Sequence, residues 1–356
     1  MKMKQMHIFC YGRFLASVFC IFILQIVYYS YAAGDSPSHS FVTLNNTKAR
    51  PLALGGAFFS LKGDIETVFY NPAGFELLNP QWAKGFTVFI NPVLPFVVWR
   101  HSENFDYGKE LNVKDFLSSL RYLFPAFIYM NKSINLGVLC YEEALQRGSS
   151  ERFFESEYFH NNSYTAGFAS IWLAKRVRLG ATGVAYTRRT PNGSVQKWGG
   201  SYGLLIQPSN RTSIGIAYFD MPPDFAQFRN PLEHIEDESI NVGISFQYNP
   251  RFIFSVDIRN VSEPEKKFSK EIHFGLEGNI YKHTTLRTGY YSEKIGDSSE
   301  HLNVFSFGIG LIDLNEFRPN MKRLLHRDYL LNYAVLGQRV DSDISWWHFL
   351  NIHFRL

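Results

Sequence analysis

The sequence predicts an all-β protein, an antiparallel transmembrane β-barrel of about 14 strands. Three observations carry that expectation. From residue 83 onward apolar and polar residues alternate with period two, broken at regular intervals by turn chemistry. The connections between the alternating stretches are short and long by turns. Aromatic residues make up 17% of the chain, with 33 Phe and 20 Tyr, a surplus that a soluble core does not readily absorb.

The N-terminus reads as an export signal. Lys2, Lys4 and Arg13 supply a positive region and residues 14–27 the apolar stretch. Ser30 and Ala32 suit a small-x-small cleavage site before Ala33. The apolar run is short and contains Gln25, which argues against an uncleaved anchor helix. Loss of residues 1–32 lowers the formal charge from +4 to +1, with 33 basic side chains against 32 acidic. No basic patch remains to argue for nucleic acid. Cys10 and Cys20 leave with the signal, so Cys140 stands alone and no internal disulfide framework forms. Past the signal no run approaches the roughly 20 apolar residues of a spanning helix, which excludes a helical membrane bundle.

The expected strands cover 83–99, 121–130, 133–141, 162–173, 176–187, 197–207 and 211–219, then 239–248, 251–258, 270–278, 284–292, 301–312, 328–337 and 346–356. In 239–248, Ile240, Val242, Ile244, Phe246 and Tyr248 share one face, and Asn241, Gly243, Ser245 and Gln247 the other. Asn249-Pro250 turns the chain. Phe252, Phe254, Val256 and Ile258 then oppose Ser255, Asp257 and Arg259. The last strand sets Leu350, Ile352, Phe354 and Leu356 against Asn351, His353 and Arg355. Pro92 and Pro95 remove ladder donors from the first strand and imply a kink, a bulge or an interruption.

A soluble sandwich would bury these apolar rows against a second sheet, whereas a membrane barrel turns them to lipid. Connection lengths favour the barrel. Short turns at 131–132, 174–175, 208–210, 249–250 and 279–283 alternate with long loops at 100–120, 142–161, 188–196, 220–238, 259–269 and 293–300. Closure is then required, because an open edge in hydrocarbon leaves backbone groups unpaired. Trp346, Trp347, Tyr290, Tyr218, Tyr202 and Tyr186 lie near strand ends, where interfacial girdles are expected. Residues 108–124 fit a short helix capped by Asn112, and the long stretch 313–327 falls on the short-turn rim.

Residues 49–75, ARPLALGGAFFSLKGDIETVFYNPAGF, resemble the N-terminal signature of the FadL-type outer-membrane transporters. The shared features are an Ala-Arg start, a small-Gly-Gly-Ala turn, an acidic residue before a short helix, and an aromatic-Asn-Pro-Ala-Gly ending. The group includes aromatic-hydrocarbon transporters, PorV-type secretion proteins and uncharacterised spirochaetal relatives. The resemblance implies a 14-strand barrel in the bacterial outer membrane whose N-terminal segment folds into the lumen as a hatch. It divides the chain into a signal peptide (1–32), a hatch segment (33–82) and the barrel (83–356). Gly55, Gly56, Asn71, Pro72, Ala73 and Gly74 would shape and gate the hatch. Phe58, Phe59, Phe69 and Tyr70 would bind substrate.

The functional expectation is outer-membrane transport of a hydrophobic small molecule such as a long-chain fatty acid, without catalysis or cofactor. An inward Arg259 or Arg287 is a candidate partner for a carboxylate. The alternative is a PorV-like accessory barrel that docks secreted proteins. Expected partners are the hydrophobic ligand, outer-membrane lipid and, through the alternation ending at Phe354 and Leu356, the barrel-assembly machinery. His348 and His353 are an odd number of residues apart and face opposite sides of one strand, so they make no metal pair. No nucleophile elbow or phosphate loop occurs.

Overall fold

Fourteen antiparallel strands, each paired to its neighbour in the chain, form a sheet that closes on itself. A computed structural model describes residues 40–44, 48–63, 65–76, 84–92, 120–148, 158–190, 193–221, 238–249, 251–262, 271–281, 284–294, 301–312, 328–340 and 343–355, with single residues 95 and 117. The expected signal peptide, the core of the 108–124 helix and the 313–327 stretch lie outside the described residues. The wall strands are β2 (Lys84–Ile90), β3 (Ala126–Asn131), β4 (Ile134–Gly148), β5 (Tyr158–Ala174), β6 (Val177–Thr190), β7 (Gly193–Ile206) and β8 (Thr212–Asp220). They continue as β9 (Glu238–Asn249), β10 (Phe252–Ile258), β11 (Ile272–Tyr281), β12 (Thr284–Lys294), β13 (His301–Ile312), β14 (Asp328–Val340) and β15 (Asp343–Arg355). Strand β15 returns to β2 through Phe354 opposite Ile90 and Arg355 opposite Phe89.

The alternation resolves as two faces. On β9, Ile240, Ile244, Phe246 and Tyr248 are exposed, while Ser239, Asn241 and Ser245 are buried. On β10, Phe252, Phe254 and Ile258 point out and Ser255 and Asp257 point in. A closed cylinder with an oily exterior and a polar-studded interior is an outer-membrane barrel, since only closure satisfies every backbone group in hydrocarbon. Among the described residues no helix is long and apolar enough to cross a membrane.

Three expectations need correction. The first strand stops at Ile90, before Asn91-Pro92, because proline cannot donate to the ladder. Trp347 and Tyr186 do not join an outer girdle; both are buried on the inner face, as period two requires when Trp346 points out. A fifteenth strand was not expected at all. Strand β1 (Ser40–Leu44) runs parallel to β15, with Ser40 opposite Trp346 and Leu44 opposite Leu350. It runs antiparallel to β4, with Ser40 opposite Gly148 and Val42 opposite Gln146. Strands β2 and β3 are short, and β4 and β15 extend past them toward the long-loop rim. There β1 stands between β4 and β15 and pairs with the edge of each.

Residues 48–63 and 65–76 lie inside the cylinder. This inner segment carries helix α1 (Ala49–Ala53) and two 3-10 turns, Ile65–Phe69 and Pro72–Gly74. Asn71 caps the second turn, its side-chain oxygen accepting from Ala73 N at 3.1 Å, and Pro72 takes the first position, where no donor is missed. Gly63 and Phe75 form a parallel bridge that folds the segment back on itself.

Candidate functional site

The inner segment is gripped by polar side chains reaching inward from the wall. The Asp257 carboxylate of β10 accepts from the backbone N–H groups of Phe58 and Phe59. Two residues along, Arg259 donates from Nη2 to Gly56 O at 2.7 Å. On β11, His273 Nδ1 meets Gly55 O, and Ser306 Oγ of β13 accepts from Gly55 N at 2.9 Å and donates to Ala53 O at 3.0 Å. Asn71 donates to Phe59 O at 2.7 Å and to Leu204 O of β7 at 3.2 Å. On β6, Thr182 donates to Val68 O, and Arg178 donates to Phe75 O and pairs with Glu76 Oε2 at 2.8 Å. Carbonyls and amides of an irregular segment would otherwise sit unpaired in a water-poor lumen, at about 1–3 kcal/mol each.

The strongest single attachment is ionic. Arg50 of α1 contacts Glu277 of β11 at two points, Nε to Oε2 at 2.8 Å and Nη2 to Oε1 at 3.0 Å. Arg287 of β12 approaches the same carboxylate from Nε at 2.7 Å. Both candidate carboxylate receptors, Arg259 and Arg287, are thus engaged, one with the inner segment and the other with Glu277. Nearby Glu66 is buried with one carboxylate oxygen unpartnered. Burial pushes its carboxyl up, against the opposing pull of Arg50.

Glycines make the fit possible. Gly55 and Gly56 adopt φ of 61° and 78°, the left-handed region that side chains avoid. The wall answers with inward glycines. A Cβ at Gly289 would strike Gly55, one at Gly215 the Phe59 carbonyl, one at Gly203 the Asn71 side chain, and one at Gly180 the Pro72–Ala73 backbone. Sequence reasoning passed over these positions. Their signal was a glycine on the polar row of a strand, which marks close approach of another backbone.

Phe58, Phe59 and Tyr70 are fully buried and packed edge to face, with centroids 5.5 and 5.8 Å apart, and Phe59 meets Phe219 of β8 at 5.9 Å. Phe69 is partly buried, against Tyr141 of β4 and Tyr164 of β5. All four join one apolar cluster that runs over the inner faces of β2 to β6 and β8, through Phe89, Ile128, Leu139 and Phe168. The opposite wall, β10 to β12, supplies Asp257, Arg259, Glu271, His273, Glu277 and Arg287. The inner wall therefore carries this apolar cluster, a charged band over β10 to β12, and a second apolar cluster where Ala49, Leu52 and Ala53 meet Val304, Leu336 and Phe349. The aromatics of the inner segment face the first cluster and its Gly55–Phe59 backbone faces the charged band.

A separate groove of about 940 Å³ lies on the outer surface, floored by Gly167, Gly183 and Gly200 and flanked by Phe127 and Trp198. Those glycines are register partners on β5, β6 and β7, and they share the lipid-facing side with exposed Trp198. The lining of the groove also takes in Ile128 and Phe168 of the inner apolar cluster. Among the described residues no cluster of His, Cys, Asp and Glu could hold a metal ion.

No protein-family model matches the sequence, and no curated protein matches it. Among solved structures the chain is similar to a mutant TodX described as a monoaromatic hydrocarbon channel, with 14% identity, 86% of this chain and 97% of that one covered, and a TM-score of 0.47. It is similar to a Pseudomonas aeruginosa FadL homologue at 10% identity, covering 88% and 96%, with a TM-score of 0.45. The Pseudomonas putida toluene transporter TodX aligns at 11% identity over 87% and 97%, with a TM-score of 0.44. These are likenesses of fold.

Proposed function

We propose that this barrel carries hydrophobic small molecules, long-chain fatty acids among them, across the outer membrane, and that residues 33–82 act as its hatch. The observation that carries the reading is the division of the lumen. Phe58, Phe59, Phe69 and Tyr70 pack into one apolar cluster with the inner faces of β2 to β6 and β8. A water-filled pore for polar solutes would line that path with polar groups instead. An apolar solute entering along it gains about 25 cal/mol per Å² removed from water. Binding of that kind is tolerant of ligand shape, because it has no directional requirement. The hatch moves by releasing backbone hydrogen bonds to Asp257, Arg259 and Ser306 while its Arg50 anchor holds one end.

The test is equilibrium binding of hexadecanoic acid and of toluene to the purified barrel in detergent, compared with Phe59→Asp. Saturable binding of either ligand to the native protein, weakened at least tenfold in the variant, supports transport. Absence of binding, with co-purification of an exported protein from the native membrane, would replace it with the docking role.

A further inference from the structure

We propose that the short-turn rim of the barrel is a binding surface for anionic phospholipid head groups of the periplasmic leaflet, carried by Lys132, Lys175, Arg176, Arg211 and Arg251. Such a surface goes beyond transport and does not depend on what the lumen carries.

Four consecutive hairpins bring these residues to one rim. Strand β3 passes to β4 through Lys132, β5 to β6 through Lys175 and Arg176, β7 to β8 through residues 207–211, and β9 to β10 through residues 250–251. Short connections of this kind lie on the periplasmic side of an outer-membrane barrel. All five basic side chains are exposed. None of the four connections contains Asp or Glu, and in sequence the next one on the same rim, 282–283, is Lys-His. The opposite rim has the other sign: the long loop 220–238 sets six acidic residues against Arg229 alone.

The turns hold their shape without using the charges. Asn131 Oδ1 accepts from Ser133 N and Ile134 N, both at 2.8 Å. Ser209 Oγ accepts from Arg211 N at 3.1 Å and Thr212 N at 3.0 Å. Asn249 Oδ1 accepts from Arg251 N at 2.8 Å and Phe252 N at 3.0 Å. In each case a side-chain oxygen satisfies the amides of the turn, and the basic side chain is left at its tip. Arg176 Nη1 donates to Pro208 O of the next hairpin and keeps its remaining guanidinium donors. Among the described residues none of the five meets a carboxylate.

The charges begin where the apolar exterior stops. Exposed Leu173 comes two residues before Lys175, exposed Leu179 three after Arg176, and exposed Tyr248 and Phe252 flank the turn that carries Arg251. That level is the head-group layer, and Lys and Arg reach it with their stems along apolar surface and their charges in the polar zone. Strands about 4.8 Å apart put neighbouring hairpin tips about 10 Å apart, so several anionic heads can sit along the rim together. Their attraction acts within a Debye length, about 8 Å at physiological salt. Guanidinium groups match phosphate oxygens by paired hydrogen bonds. A zwitterionic lipid offers the same phosphate with a cation attached, so the net attraction selects an anionic head such as phosphatidylglycerol. An acidic protein would meet the charges but would leave the apolar band beside them to lipid.

The experiment offers the purified barrel, in neutral detergent, an equimolar mixture of dioleoyl phosphatidylglycerol and dioleoyl phosphatidylcholine and counts the bound lipids by native mass spectrometry. The native protein is expected to prefer phosphatidylglycerol by about tenfold at low salt, falling to about twofold at 0.5 M salt. The combined variant Lys132→Gln, Lys175→Gln, Arg211→Gln and Arg251→Gln should lose the preference, with folding verified by heat-dependent gel mobility. Arg211→Lys with Arg251→Lys should keep it. A control at the opposite rim, Arg188→Gln, Arg189→Gln and Arg339→Gln, should keep it too. Equal binding of the two lipids to the native protein would overturn the head-group surface, whether or not an acidic protein co-purifies. A preference that survives in the four-residue variant, or that is lost equally in the control, would overturn it as well, since the attraction would then lie elsewhere or come from net charge alone.

Discussion

Arg50 and Glu277, 227 positions apart in the chain, form a two-point ion pair across the barrel lumen at 2.8 and 3.0 Å. One partner belongs to the first helix and the other to the charged side of the wall, so the pair sets where the inner segment sits.

Breaking it should free that segment. Arg50→Gln is expected to cost about 3 kcal/mol and to make the inner segment susceptible to limited proteolysis in the folded barrel. Glu277→Gln should cost more, because it leaves both Arg50 and Arg287 without their carboxylate. The double variant should be more stable than the sum of the two losses predicts. Thermal unfolding in detergent reads all three. Native-like melting of Arg50→Gln would show that the pair anchors nothing.

Glu66 gives a pH dependence of known sign. Its carboxyl is raised above the ordinary 4.5 by burial. Below pH 4.5 the group is protonated both folded and unfolded, and it imposes no penalty. As pH rises through the window between 4.5 and the raised value, the unfolded form loses its proton first and stability falls. Glu66→Gln should therefore stabilise the barrel by about 1 kcal/mol at neutral pH, with the gain vanishing below about pH 4. Melting curves across that range test it, and a gain that grows on acidification would contradict it.

Two glycine-to-alanine changes separate the inner face from the outer. Gly215→Ala places a methyl against the Phe59 carbonyl and should cost about 1–3 kcal/mol, with loss of protection of the inner segment. Gly167→Ala meets nothing within 4 Å and should leave stability and protection unchanged. Protease mapping of the two variants side by side decides the point. Equal behaviour would argue against a segment pressed on the wall at β8.

The fifteenth strand can be caught by chemistry. Directly paired residues of antiparallel strands hold their Cα atoms about 4.5–5.5 Å apart, within disulfide reach. With Cys140 replaced by Ser, the pair Val42→Cys and Gln146→Cys should form an intramolecular disulfide on mild oxidation, seen as a mobility shift reversed by reductant. A pair displaced by two residues, Val42→Cys with Ala144→Cys, should cross-link far less. Equal yields would mean that β1 has no fixed register on β4.

Much of the wall was legible in the sequence. Alternation assigned Ile240, Ile244 and Phe254 to the lipid side and Asn241, Ser255 and Asp257 to the lumen, because a strand has only two faces and one of them must be apolar. Closure followed from the cost of an edge in hydrocarbon. The turn at Asn71–Gly74 was legible too, since Asn before Pro carries its own local geometry. These features depend on residues close together in the chain, or on a solvent that treats every strand alike.

The tertiary structure decided what no local pattern encodes. Which strand supplies the partner for Arg50, where β1 finds its slot, and why the inner rows of β6, β7, β8 and β12 carry glycine all depend on residues a hundred or more positions apart. A buried charge or carbonyl needs a partner at a fixed distance but not at a fixed sequence separation. Only the closed cylinder brings Glu277, Asp257 and Gly215 to the same short segment.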